Sequence, residues 1–563
     1  MALLLLFRIT LMPVLLLLLQ PVMTHGASYP NNGSPMGINL AGIRYWSTEL
    51  VFKDLFKHAQ PWASQEKGKP YGKGPPLALT PQGWIRWLQP GQSADTLVCR
   101  GSGRYPAGRY LLRYQGNGEI TIKYDAQLST SRHGAVSHPP AMDLIDLLSG
   151  TGQTNLRDQK KASASEKITE IPFSVVHPSS RGLGLVVTRV DDIDPLHHIE
   201  ILPEAFREDH YTQPFQPEFI SRWARFKVIR FMDWMETNNS KISRWAERPT
   251  VGMQTQGSSR GVALSYMITL ANTLHADPWF CMPHLADDDY VQQFAQTVAD
   301  TLNPDLKIYI EYSNETWNYQ FEQAAYCRQK GVAMGLGNDP VQAGLLYYTQ
   351  RALEMFSIWD KVFHPHNKKR LVRVLASQFG NPWTARQLFA DPGTTRNVDA
   401  LAIAPYFGMA LSSASPTIEL SPGRVVAKNA LTLDQILDFL DKEIDANSAL
   451  LREYAKLTAQ WGVDLIAYEG GQHLVGTRGL ENDEVLTWLF HQANRNPRME
   501  DLYRKDLNSW KRAGGQLFVS FASMGQYNKW GSWGLLEHPM QDPETAPKYR
   551  AVMKYIDKNS NAD

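Results

Sequence analysis

Cysteine is scarce in this 563-residue chain. Cys99, Cys281 and Cys327 lie far apart and are odd in number, so no disulfide framework can be read from them. They read as free thiols. No CxxC or HExxH spacing occurs, so no zinc site is signalled. His197, His198 and His473 have no matching carboxylate pattern. Asp287-Asp288-Asp289 reads as a helix N-cap with an acidic first turn, not as a cation site. No metal and no cofactor is expected. No glycine-rich phosphate turn follows any candidate strand, which disfavours a doubly wound open sheet. An excess of one charge is also missing: 57 Lys and Arg face 56 Asp and Glu, leaving no basic field to hold nucleic acid or an anionic membrane.

Long apolar runs are confined to one place. Leu3–Phe7 and Leu11–Leu19 are almost wholly apolar, and Gly26-Ala27-Ser28 follow. Residues 1–28 therefore read as a secretory signal peptide, and the protein is expected to be secreted or periplasmic. Arg8 inside the run and Pro13 interrupting it leave an uncleaved N-terminal anchor as the alternative. Beyond this segment nothing approaches the roughly 20 apolar residues a spanning helix needs.

Aromatics, by contrast, are plentiful. Sixteen Trp and 23 Tyr suit an apolar core, and equally the apolar faces of sugar rings.

The texture changes twice along the chain. Residues 29–65 read as a short strand at 36–41 and a helix around Glu49–Lys57. Over 66–205, short alternating runs bounded by Gly and Asn predict a β-sandwich domain, with a long polar loop near 148–166. From 206 to 555, apolar strands alternate with longer helical segments. The strands are Phe226–Phe231, Pro278–Met282, Lys307–Tyr312, Arg370–Leu375, Ala400–Ala404, Asp464–Tyr468 and Gln516–Phe521. Helices are expected at 257–275, 288–302, 319–334, 340–361, 432–460 and 482–513. With the early strand there are eight, which predicts an α/β fold: a (β/α)8 TIM barrel with the β-sandwich inserted after its first strand and helix.

In such barrels the functional groups sit at the C-terminal ends of the strands. Reading those ends in order yields Asn39, Arg230 with Asp233, His284, Asn314-Glu315, Gln378, Tyr406, Glu469, and then Trp530 and Trp533. Two apolar strands, IYIEYSNETWN and LIAYEGG, each lead to a glutamate, Glu315 and Glu469. Paired carboxylates are what acid/base and nucleophilic work at one bond requires. Glu311, in mid-strand, reads as a partner in an interior ion pair.

Asn314-Glu315 on the fourth strand and Glu469 on the seventh resemble the catalytic pair of clan A of the glycoside hydrolases, retaining enzymes on a (β/α)8 barrel. Arg230 and Tyr406 are similar to that clan's second-strand arginine and sixth-strand tyrosine. Its eighth-strand tryptophan is matched equally by Trp530 and Trp533. More narrowly, RFMDWMETN, MPHLADDDYV, EYSNETWN and YEGGQH resemble a group of secreted bacterial proteins often labelled cellulose-binding or glycosidase-like.

The resemblance implies Glu315 as acid/base and Glu469 as nucleophile, with the carboxyls roughly 5–5.5 Å apart. It implies a polysaccharide or oligosaccharide substrate, more often β-linked. Asn39, Arg230, His284, Asn314, Trp317, Gln378, Tyr406, Trp530 and Trp533 would bind it. Burial and the charge of Glu469 are expected to raise the pKa of Glu315, while Arg230 and Tyr406 keep Glu469 ionised. The alternatives are a carbohydrate-binding protein without turnover, and a transglycosylase acting on exopolysaccharide.

Overall fold

The computed structural model describes residues 29–560, apart from 102, 129–134, 137–167 and 365. The N-terminal apolar segment and the polar stretch near 148–166 lie outside the described residues.

Eight parallel strands close into a barrel. They are β1 (Met36–Asn39), β2 (Val228–Arg230), β3 (Asp277–Met282), β4 (Ile308–Tyr312), β5 (Leu371–Ala376), β6 (Ala400–Ile403), β7 (Asp464–Ala467) and β8 (Phe518–Ser520). Closure runs through β1, where Gly37 pairs with Val228 on one side and Val519 on the other. The fold is therefore the predicted α/β barrel. Period-2 alternation sorts its side chains. On β4, Ile308, Ile310 and Tyr312 face outward into the helical layer, while Tyr309 packs against the interior cluster that also holds Val228, Trp279, Ile466 and Tyr468.

The surrounding helices carry the end signals that their sequences predict. Asp287 caps Asp288–Thr301 by accepting from the Tyr290 amide. Thr432 and Gln435 form a reciprocal capping box on Leu433–Trp461, which ends at left-handed Gly462. The single helix expected over 482–513 is two, Glu484–Arg495 and Arg498–Arg512. Pro497 divides them, since it has no N–H for a continuing helix. Within the stretch 408–431 a short hairpin forms, Thr417–Ser421 against Arg424–Ala427. Among the described residues, no helix is long and apolar enough to cross a membrane.

Between β1 and β2 lie two larger antiparallel sheets and a two-stranded one, Ala78–Leu79 against Ile85–Trp87. Of the larger two, one orders Ala63–Glu66, Gln92–Val98, Leu183–Val190 and Gly118–Tyr124; the other orders His197–Pro203, Gly108–Gln115, Ile168–Val175 and Ala126–Leu128. Alternate residues of both, including Leu183, Leu185 and Val187 from one and Phe173 and Val175 from the other, enter a single buried cluster separate from the barrel's.

The helix expected around Glu49–Lys57 is not there. Only a 3-10 turn forms, at Leu55–His58. A helix of this length presents one apolar stripe, but this segment is buried on several sides. Leu50, Leu55 and Phe56 join the cluster of the two sheets, and Val51 and Phe52 join the barrel's. Glu49 is buried too, accepting from Trp223 Nε1 at 2.8 Å and from the Ser523 hydroxyl at 2.6 Å. An extended path lets successive side chains enter two cores at once.

Candidate active site

Arg230, inward-facing on β2 and fully buried, organises the polar end of the barrel. A buried guanidinium is sustained only by partners. Its Nη2 donates to Glu311 Oε2 and to Asn314 Oδ1, both at 2.9 Å. Its Nη1 donates to Asn39 Oδ1 at 3.1 Å. Asn39 in turn donates to the Tyr468 carbonyl at 3.0 Å. Glu311 also receives Trp279 Nε1 at 2.9 Å and the Cys281 thiol at 3.4 Å, so it is the interior ion-pair partner its mid-strand place predicts.

After β4 the chain passes through two left-handed residues that are not glycine, Ser313 (φ 62°) and Glu315 (φ 43°). Such conformations are held only by surrounding contacts. Here Asn314, between them, is gripped on both sides. Its carbonyl oxygen faces Arg230, its amide donates to Asn238 Oδ1 at 3.0 Å, and its backbone carbonyl accepts from Gln323 Nε2 at 2.8 Å. Half-buried Glu315 is thereby turned toward β7. Its Oε1 accepts from the Tyr468 hydroxyl and its Oε2 from Asn318 Nδ2, each at 2.8 Å.

Glu469 follows Tyr468 at the end of β7 and is buried. The two glycines after it have a steric reason: Gly471 sits at φ 131°, and a Cβ there would lie 2.7 Å from the Tyr503 hydroxyl. Glu469 Oε2 is 3.7 Å from Arg230 Nη1, beyond hydrogen-bond distance, and it accepts no hydrogen bond among the described residues. Burial first, then the charge of Glu315, pushes the Glu469 carboxyl well above the usual carboxylate range, with Arg230 opposing. The expectation that Arg230 and Tyr406 hold Glu469 ionised is not met, because burial and the charge of Glu315 outweigh Arg230. The physical reason is the placement of Arg230, whose closer carboxylate is Glu311. Asp233, after β2, is raised to about 6 by burial and by Glu236, against Arg44 and Arg230.

The aromatic residues divide. Trp317 meets the Tyr468 ring edge-on, with centroids 6.2 Å apart. Buried Tyr406 packs against Trp533 at 6.1 Å, and its hydroxyl is kept protonated by burial and by the charges of Glu469 and Glu315. Trp533 also contacts Phe521 and His473, whereas Trp530 points to solvent, 64% exposed. Of the two tryptophans the sequence leaves open, Trp533 is the one packed on Tyr406.

The structure thus brings Asn39, Arg230, Asn314, Glu315, Trp317, Tyr406, Glu469 and Trp533 together. His284 lies outside this network, buried against Tyr326 at 5.2 Å and lowered to about 4 by burial. Gln378 is exposed, and the hydrogen bonds at that residue reach its backbone carbonyl, from the Tyr454 hydroxyl and the Asn381 amide. Asn238, Asn318 and Tyr468 were not singled out from the sequence. Tyr468 carries a usable signal: it is two residues beyond inward-facing Ile466, so it shares the interior face. Asn238 and Asn318 lie in loops, where no periodicity marks direction.

No protein-family model matches the chain, and no curated protein does. Solved structures with partial likeness include a native Bacteroidetes-affiliated GH5 cellulase (11% identity, covering 62% of this chain and 85% of that one, TM-score 0.33). Another is an endo-β-1,4-mannanase from Thermotoga petrophila (11%, 62% and 73%, TM-score 0.33). A third is an exo-β-1,4-mannosidase from Opitutaceae bacterium strain TAV5 (11%, 64% and 57%, TM-score 0.33). Likenesses this weak decide nothing; the barrel rests on its own strand pairing.

Proposed function

We propose that the protein is a secreted retaining glycoside hydrolase acting on a β-linked polysaccharide or oligosaccharide, with Glu315 as acid/base and Glu469 as nucleophile. One observation carries the reading. Two glutamates from the ends of the fourth and seventh strands of a closed barrel are tied to one cluster: Tyr468, the residue before Glu469, donates to Glu315 Oε1 at 2.8 Å, and Arg230 lies 3.7 Å from Glu469 while holding Asn314, the residue before Glu315.

In the first step a Glu469 oxygen bonds to the anomeric carbon as the glycosidic C–O bond breaks. The leaving oxygen keeps the bonding electrons and takes a proton from Glu315. In the second step water gives a proton to Glu315, its oxygen bonds to the anomeric carbon, and Glu469 is released as carboxylate.

The mechanism needs Glu469 ionised when attack begins, against the upward push of its burial. Its Oε2 is buried and accepts no hydrogen bond among the described residues, so it has acceptor capacity still to satisfy. A hydrogen bond donated to the Glu469 carboxylate on substrate binding would favour its charged form. Asn314, held by Arg230 and Asn238, has a second amide hydrogen to offer the sugar. Trp533, packed on Tyr406, and Trp317, packed on Tyr468, are the aromatic rings available to a sugar face. The inserted sheets are read as a β-sandwich that walls the cleft.

Release of reducing ends from a panel of β-glucans, mannans and xylans, with the first-formed anomer read by proton NMR, tests the proposal. Retention of configuration is expected, with activity lost in Glu315→Gln and Glu469→Gln. An inverted first product overturns the double-displacement mechanism. No release from any member, with glycan binding intact in both variants, makes the protein a carbohydrate-binding one. Products longer than the substrate identify a transglycosylase.

A further inference from the structure

The helix Glu484–Arg495 follows β7 and buries Leu486, Leu489, Phe490 and Ala493. Trp488 is on the other side of it, 58% exposed, where an indole has no part in the core. In the chain after β8, Trp530 is 64% exposed. These are the two most exposed tryptophans among the described residues. Trp488 lines a cleft of about 300 Å³ together with Glu481, Asn482, Glu484, His491 and Lys529.

The cleft has built edges. Lys529 reaches across from the β8 loop to the β7 loop and donates from Nζ to Asn482 Oδ1 at 3.0 Å. Its ammonium also lies over the Trp530 ring at 4.8 Å. His491 Nε2 is 3.2 Å from the Asn528 carbonyl oxygen. The same loop leads back to the glutamate pair, since Trp533 Nε1 donates to the Trp530 carbonyl at 2.9 Å while the Trp533 ring packs on Tyr406.

We infer that this cleft is a second glycan-binding subsite, remote from Glu315 and Glu469, that takes a neutral pyranose unit. The apolar face of Trp488 matches the C–H face of such a ring. The Asn482 amide and the Glu481 and Glu484 carboxylates match its hydroxyls, which both donate and accept. Two carboxylates against one ammonium repel an acidic sugar. The occupant is a more distant unit of the chain that enters the active site, so the inference rests on the reading given under Proposed function.

The test uses the full protein carrying Glu315→Gln to prevent turnover. Its affinity for hydroxyethylcellulose, glucomannan and polygalacturonate is measured by affinity electrophoresis and calorimetry. At least one neutral polymer is expected to bind, and polygalacturonate to bind far more weakly. Adding Trp488→Ala is expected to weaken neutral-polymer binding by roughly tenfold, the loss typical of an aromatic anchor. Thr487→Trp, which fills the cleft instead of emptying it, is expected to do the same.

Binding by no neutral polymer overturns the inference, as does equal binding of polygalacturonate, or binding unaffected by both cleft variants. Turnover is read separately, with Glu315 intact. Release of reducing ends from short oligosaccharides by Trp488→Ala at the unsubstituted protein's rate, with polymer binding lost, upholds the subsite. Loss of binding in the cleft variants while the unsubstituted protein cleaves nothing upholds the subsite and removes the hydrolase reading instead.

Discussion

The Tyr468 hydroxyl donates to Glu315 Oε1 at 2.8 Å, so the residue that precedes one candidate catalytic carboxylate in the chain holds the other in place. β7 therefore contributes to both halves of the pair. Burial, then the charges of Glu315 and Glu469, keeps that phenol protonated, and it remains a donor at any working pH. Tyr468→Phe removes one of two donors to Glu315 and leaves Asn318. We expect kcat/KM to fall roughly tenfold, the worth of one hydrogen bond to a charged group. Tyr468→Phe with Asn318→Ala is expected to lose more than either alone. Unchanged kcat/KM in the double variant rejects the positioning role.

Glu469 makes stability depend on pH. Its folded-state pKa is raised above the unfolded value, so its contribution is fully present below about 4.5 and is lost as pH rises through the raised pKa. Glu469→Gln has no charge to bury. The variant is expected to melt higher than the unsubstituted protein at pH 8 and to lose most of that advantage at pH 4.5. Scanning calorimetry at the two pH values checks it, and a difference independent of pH contradicts it.

His58 acts in the opposite direction. Its Nε2 accepts from the Val51 and Phe52 amides at 3.2 and 3.4 Å, which requires that nitrogen to be unprotonated, and burial lowers its pKa to about 4. The stability it contributes is present above its unfolded value near 6.5 and is lost as pH falls from there toward 4. The full effect is about 3 kcal/mol. His58→Gln, whose side-chain oxygen can accept without titrating, is expected to flatten the fall in denaturant midpoint between pH 7 and 4.5. An equally steep fall in the variant assigns the acid lability to other groups.

Arg230→Met leaves Glu311 buried without its cation. A loss of about 3–5 kcal/mol in unfolding free energy is expected, read from chemical denaturation. Arg230→Met with Glu311→Leu is expected to recover part of it, because the uncompensated charge then goes as well. Activity is expected to be absent in both variants, since Asn39 and Asn314 lose the donor that orients them. If the double variant is the less stable of the two, the buried pair is not what Arg230 contributes.

The eight barrel strands were legible in the sequence because each is a short apolar run, and those from β2 onward alternate with helical segments. Glu315 and Glu469 were legible as strand-end carboxylates for the same reason. Interior pairing of Glu311 followed from period-2 alternation on β4. None of these depends on distant contacts. The segment after β1 does. Leu50, Val51, Phe52, Leu55 and Phe56 have a spacing that suits a helix, and only two separate cores meeting at one segment make it extended. The upward push on the Glu469 carboxyl was likewise decided in three dimensions. From the sequence, Arg230 is available to either Glu311 or Glu469; the fold brings it to 2.9 Å from the first and 3.7 Å from the second, and burial does the rest. The choice of Trp533 over Trp530 has the same origin. Two identical side chains three residues apart differ only in which way the loop turns them, and a loop's direction is set by what it packs against.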